Sequence, residues 1–198
     1  MNESVEKKTF LIVGLGNPGR QFRYDRHNIG FMALNKLSEK YGEAFSRVQF
    51  DALLTDVRIN NDKVFLSKPQ TFMNNSGTPV AQLMRYYRIP IENLLVVFDD
   101  LDLPLGYLRL RPQGGSGGHR GVQSIIDRIG SQDFPRMRLG IGRPPGIMDP
   151  SAFVLQSFSE EEGLIVEILL NRAAECIETF HSEGIDSAMN RFNVKDNG

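Results

Sequence analysis

The stretch "VGLGNPGRQF", residues 13–22, overlaps the end of an apolar run, "TFLIV" (residues 9–13), and contains Gly14-x-Gly16-x-x-Gly19. A strand running into G-x-G-x-x-G is the pattern of a dinucleotide-binding turn, so the fold depends on whether the rest of that pattern follows. Such a site needs a helix that opens at the third glycine, with its N-terminus on the pyrophosphate. It also needs an acid ending the next strand about 20 residues on, to hold the ribose. Neither is present. "RQFRYDRHN" follows Gly19; it is polar, has no helical period, and the next helix begins only near His27. Residues 37–40, where the acid should be, fall inside that helix. Gly-Asn-Pro-Gly reads instead as a rigid turn at a strand end, because Pro fixes φ and Gly permits positive φ. The turn presents Asn17, whose amide both donates and accepts hydrogen bonds.

Outward from this turn, strands and helices alternate. Ile29, Met32, Ala33, Leu37 and Tyr41 share one helical face, and Gly42 stops that helix. "RVQFDALLTDVRI" (residues 47–59) and "KVFLSKP" (63–69) read as two strands around the turn "NND". A helix follows from Thr78 to Tyr87, with Val80, Leu83, Met84 and Tyr87 aligned and Pro90 beyond it. "NLLVVF" (93–98) is continuously apolar, the mark of a central strand buried on both faces, and it runs into "DDLD". "GYLRLR" (106–111) alternates as a half-exposed strand. "GGSGGHRG" leads into a helix carrying Val122, Ile125, Ile126 and Ile129, and "RMRLGIG" (136–142) is a further strand. The last long helix is expected to start at Ser159, with Glu162 completing a capping box, and to carry Leu164, Ile165, Ile168, Leu169, Ile177 and Phe180. The class is α/β: one domain over residues 1–198, a mixed twisted sheet with helices on both faces, and a polar N-terminus (1–8) read as flexible.

Composition limits the function. No signal peptide is legible and no run approaches the roughly 18 apolar residues of a membrane span, so a cytoplasmic protein that does not engage membranes is expected. The single cysteine, Cys176, excludes an intramolecular disulfide and lies on an apolar helix face, which does not suit a nucleophile. Formal net charge is −1, yet residues 107–143 hold seven arginines, no lysine and two aspartates. Arginine's planar fork suits phosphate, and this segment is the chain's candidate phosphate-facing patch.

Few residues could carry chemistry. His27 stands at a helix start just beyond the turn, and histidine suits general-base work because its reference pKa is ~6.5. Asp99 and Asp100 end the buried central strand, where sites form in open α/β sheets; adjacent acids point apart, so at most one faces a histidine. Asn74 and Asn75, in "QTFMNNSG", either donate to a developing oxyanion or cap the next helix. The glycines of 114–121 bring backbone N–H groups near a helix N-terminus. His119 and His181 have no legible partner and are left as structural. Three histidines and one cysteine lack metal-ligand spacing, so no metal is expected. A histidine, an acid and several asparagines without a nucleophile point to hydrolysis by activated water.

Together "VGLGNPG…RHNIGF", "KPQTFMNNSG", "VVFDDLDLPLG", "GGSGGHRGVQSI" and "RLGIGRP" resemble bacterial peptidyl-tRNA hydrolase, in order from about Phe10 to Arg143. The resemblance implies a monomeric, cofactor-free α/β enzyme that cleaves the ester between a peptide and the ribose of tRNA. His27 would activate water with Asp99 in support, Asn74 would hold the water or oxyanion, and Asn17 would favour blocked peptidyl over free aminoacyl substrates. Phe72 and Met73 would line the groove, Gly117 and Gly118 would border the peptide backbone, and Arg111 and Arg138 would hold tRNA phosphate. Three positions depart from the family pattern: Phe22 stands for a tyrosine, keeping its stacking surface, Asp25 for a threonine, and Arg120 for a substrate-contacting asparagine. The alternative is a non-catalytic, splicing-type RNA binder on the same fold; a nucleotide-cofactor oxidoreductase is the weakest reading.

Overall fold

In chain order the computed structural model, which describes residues 8–193, forms β1 (Thr9–Gly14), α1 (Ile29–Lys40), β2 (Arg47–Gln49), β3 (Ala52–Ile59), β4 (Asp62–Pro69), α2 (Gly77–Tyr87), β5 (Leu94–Asp100), β6 (Leu108–Arg111), α3 (Arg120–Ile129), β7 (Arg136–Gly140), α4 (Pro150–Val154), α5 (Gly163–Glu183) and α6 (Ile185–Phe192). Most of the N-terminal stretch read as flexible, residues 1–7, lies outside the described residues. The strands form one sheet in the order β2-β3-β4-β1-β5-β7-β6. Its centre, β4-β1-β5-β7, is parallel, and antiparallel partners close both edges. Among the described residues, no helix is long and apolar enough to cross a membrane.

Alternate residues of the central strands feed two cores. Phe10 and Ile12 of β1 and Leu95 and Val97 of β5 join α1, α5 and α6 on one face. Leu11 and Val13, with Leu94, Val96 and Phe98, join α2 and α3 on the other. Burial on both faces is why "FLIV" and "LLVVF" read as unbroken apolar runs.

The glycines of the opening stretch serve this packing. A Cβ added at Gly14 would stand 2.3 Å from the carbonyl oxygen of Gly30, and one at Gly30 would stand 2.4 Å from that of Val97. The first turn of α1 thus rests backbone to backbone on β1 and β5, which only glycine permits. Gly19, at φ 117°, turns the chain away at the end of the motif. Gly30→Ala is expected to lower stability by about 1–3 kcal/mol, the usual cost of overpacking a filled core, read as a shifted urea midpoint. An unchanged midpoint would refute the close-packing role.

Two expectations need correction. The strand expected over residues 47–59 is two strands, because Phe50 and Asp51 both adopt positive φ (51° and 54°) and form a hairpin turn between β2 and β3. The last long helix begins at Gly163, not Ser159. The capping box does form, Ser159 N–H donating to Glu162 Oε2 at 2.8 Å and Glu162 N–H to Ser159 Oγ at 3.3 Å, but within the turn before the helix. Of the apolar residues assigned to that helix, Leu169, Ile177 and Phe180 are buried on one face with Val166 and Ala173, whereas Leu164, Ile165 and Ile168 lie off that face and are exposed.

Candidate active site

A cleft of about 980 Å³ opens where β1 and β5 end, and it gathers most of the residues singled out in the sequence. Asn17, His27, Phe72, Met73, Asn74, Asp99, Arg111, Gly117, Gly118, Arg120 and Arg138 all line it. Phe22 does not. It is half-buried in a short 3-10 turn (Arg20–Phe22) that follows Gly19, and the glycine's backbone turn carries it off the cleft wall. Asp25 also stays out of the lining; it is buried and bridges to Ser157, and burial raises its pKa against the hydrogen bond from Ser157.

At the centre, His27 Nδ1 lies 2.8 Å from Asp99 Oδ1. Burial alone would raise the Asp99 pKa, but the imidazoles of His119 and His27 outweigh it and hold the carboxyl well below its usual range. An ionised carboxylate only accepts hydrogen bonds, so Nδ1 of His27 carries the proton. Nε2 is then left with its lone pair, and it makes no hydrogen bond among the described residues. The pair therefore presents a fixed tautomer with one basic nitrogen. Of the two adjacent acids it is Asp99 that faces the histidine; Asp100 turns the other way and accepts from Arg138 Nε.

His119, left as structural in the sequence reading, belongs to this centre. Its Nε2 lies 2.9 Å from the same Asp99 oxygen, and its Nδ1 caps α3 by accepting from Gly121 N–H at 3.2 Å and Val122 N–H at 3.3 Å. With Nδ1 accepting, the ring proton sits on Nε2 and is donated to Asp99. Side-chain caps are ordinarily Ser, Thr, Asp or Asn, so nothing in the sequence marks this histidine as one. The ligand atoms of His27, Asp99 and His119 lie within 4.8 Å of one another, a donor set that could suit a metal ion. Yet ligation through Nε2 of His119 would strip its ring of its only proton or break the α3 cap. The trio fits a hydrogen-bonded relay rather than a metal centre.

Asn17 is held on three sides. Its N–H donates to Asn28 Oδ1 (2.8 Å), its carbonyl accepts from Asn28 Nδ2 (2.9 Å), and its Oδ1 accepts from Met73 N–H (3.0 Å). Its Nδ2 is the donor left over. Asn74 is exposed in the cleft and makes no hydrogen bond among the described residues; the local bond to Thr78 is made by Asn75 instead. Asn74 therefore does not cap α2.

The His27 turn is anchored from outside. Arg26, which precedes it, is buried, grips Glu162 with both terminal nitrogens (3.0 and 2.7 Å), and lies over the rings of Phe153 and Phe158. Sequence reasoning missed this clamp because Glu162 was already accounted for by its capping box.

The arginines form a face. Arg111 pairs across β6 and β7 with Arg136, and Arg109 with Arg138. Period-2 alternation puts all four on one side, while Leu108, Leu110, Met137 and Leu139 are buried on the other. Among these four, only Arg138 has a carboxylate partner among the described residues; Arg136 donates to the carbonyls of Gly115 and Gln132. Like charges opposed across strands are destabilising, so this face suits a polyanion, which can reach Arg109, Arg111 and Arg138 but not the buried Arg136. Arg120 adds another cation to the cleft with no ion pair among the described residues.

The model of the peptidyl-tRNA hydrolase family matches residues 11–198. The peptidyl-tRNA hydrolase of Desulforudis audaxviator is 49% identical over 92% of each chain. The chloroplastic peptidyl-tRNA hydrolase of Arabidopsis thaliana is 47% identical over 94% of this chain, which spans 65% of that relative's length. The crystal structure of peptidyl-tRNA hydrolase from Acinetobacter baumannii superposes with a TM-score of 0.88 at 34% identity, covering 94% of this chain and 95% of that one. A match over nearly the whole chain, on a fold that brings the shared motifs to one cleft, means that this chain belongs to the peptidyl-tRNA hydrolase family.

Proposed function

We propose that the chain hydrolyses the ester joining a peptide to the terminal ribose of tRNA, releasing tRNA after premature drop-off from the ribosome. The observation that carries this is the His27–Asp99 pair, a base of fixed tautomer in a cleft beside a four-arginine face. Water attacks the ester carbonyl while Nε2 of His27 takes its proton, and Asp99 stabilises the imidazolium that forms. The amide of Asn74, which has no hydrogen bond to another described side chain, donates to the oxyanion. The tetrahedral intermediate collapses with cleavage of the carbon–oxygen bond; the proton on His27 passes to the ribose oxygen, and the peptide leaves as a carboxylic acid that loses its remaining proton to water. Asn17 offers Nδ2 to the substrate amide, which favours blocked peptides. Phe72 and Met73 line the groove, and Gly117 and Gly118, both at positive φ, let a peptide backbone approach closely.

No cofactor or metal takes part in these steps. The site is complete within one chain, which supports a monomer, and a substrate made by translating ribosomes supports a location in the cytoplasm. The non-catalytic RNA-binding alternative is not favoured: it gives no purpose to an ionised Asp99 held between two imidazoles, and the relatives carry the hydrolase name. The test is release of N-acetylated amino acid from N-acetylaminoacyl-tRNA; tight RNA binding with no ester cleavage would overturn the reading.

The arginine face gives a second measurement. Arg111→Gln should weaken substrate binding and reduce the slope of log affinity against log salt by about 0.7–0.9, the loss of one phosphate contact. Arg138→Gln should do the same. Unchanged slopes in both would remove the face from the tRNA site.

A further inference from the structure

A second cavity, of about 560 Å³, lies on the far side of Asn17, which lines both spaces. Its distinctive member is Lys68 near the end of β4. This side chain is 8% exposed, donates one hydrogen bond to Asn35 Oδ1 at 2.6 Å, and stands 3.6 Å from the centroid of the Phe45 ring. No carboxylate lies within ion-pair distance of it among the described residues. Burial first, and Arg23 second, bring its pKa down to about 8, against a smaller upward pull from Glu39. Arg20 and Arg23 are exposed on the same lining and likewise make no ion pair among the described residues; Glu39 and Glu43 are the acids there. An ammonium has three donors, and a buried one with a single acceptor and no counter-ion is held at a cost that an anion would relieve.

The sheet order says which part of a substrate reaches this cavity. Across neighbouring strands, β6 and β7 carry the arginines, β5 carries Asp99 just before its end at Asp100, the chain after β1 runs on to Asn17, and β4 carries Lys68. A substrate with phosphates on the arginines and its ester at Asp99 and Asn17 has its peptide limb left to lie towards β4. Phe31, Phe45 and Leu53 give the cavity apolar walls, as a side-chain subsite needs.

Resting on the hydrolase reading, we propose that this cavity is a peptide subsite that takes a carboxylate-bearing side chain, on the residue preceding the ester-linked one, against Lys68. Its apolar atoms pack on Phe31 and Phe45, and Arg23 stands at the rim. The subsite makes the enzyme prefer acidic over isosteric neutral residues at that position.

The experiment compares three tRNA esters: N-acetyl-glutamyl-alanyl, N-acetyl-glutaminyl-alanyl and N-acetyl-alanyl. The parent enzyme is expected to process the glutamyl substrate about tenfold more efficiently than the glutaminyl one, through KM, as about 1.4 kcal/mol of differential binding corresponds to tenfold. Lys68→Met brings that ratio to one. Arg23→Gln, an exposed change that the fold tolerates, lowers it. A parent ratio of one overturns the subsite. So do variants that slow all three esters alike, since the cavity would then serve the fold or the tRNA. Failure of the parent on N-acetyl-alanyl-tRNA itself would instead bring down the hydrolase reading, and the subsite with it.

Discussion

His27→Ala is expected to lower kcat/KM on N-acetylaminoacyl-tRNA by about three orders of magnitude, within the range for loss of a general base. The loss should fall on kcat, because the proposed tRNA contacts are arginines elsewhere in the cleft. Stability should fall only modestly, because Asp99 loses the hydrogen bond from His27 but keeps the one from His119. The His27 ring packs against the largely buried His119 ring at a centroid distance of 5.1 Å, and the fixing of its turn falls to Arg26, its Glu162 partner and the Phe153 and Phe158 rings. A thermal midpoint within a few degrees of the parent, measured beside the rate, separates loss of chemistry from loss of fold. Turnover at the parent rate would remove His27 as the base.

The opening motif shows how far the sequence could be read. Its glycine pattern fits a cofactor turn, but the polar run after Gly19 and the helix over residues 37–40 contradict that reading, and the structure supplies the actual reason for glycine: Gly14 and Gly30 touch through their backbones. Asn17, His27, Asn74 and Asp99 were legible because each stands at the end or start of an element that periodicity locates, and they meet in one cleft. His119 was not, because its two partnerships depend on a loop path between β6 and α3 that no periodicity encodes. The arginine face was half legible. Alternation in "LRLR" and "RMRLG" puts each pair on one side of its strand, but the opposition of Arg111 to Arg136 depends on register, which a sequence does not display. Phe22 lies off the cleft for a different reason: its separation from Asn17 along the chain is short, but the turn at Gly19 takes it away.

Asp99→Asn separates the charge at the centre of the site from its shape. An asparagine can keep its carbonyl oxygen towards His27 and His119, so both hydrogen bonds and both tautomers can survive. What it loses is the negative charge that stabilises an imidazolium on His27. His119 cannot compensate, because an imidazole offers a neutral or a cationic ring and neither replaces the lost negative charge. Activity is expected to fall by about two to three orders of magnitude, part of the roughly 10²–10⁴ that a general base contributes, because the base stays in place but its cationic form is no longer stabilised. Stability carries an independent signature. The Asp99 pKa is depressed in the folded protein, so its ionisation contributes stability that is present above the unfolded carboxylate value of ~3.9 and is lost as pH falls below it towards the folded value. The Asn variant lacks that component. Its urea midpoint should be lower than the parent's at pH 7, and the gap should narrow between pH 4 and pH 3 as the parent alone loses the Asp99 contribution. A gap that stays constant over that interval would mean that Asp99 is not held ionised by its two histidines, and parent-like turnover would mean that His27 works without it.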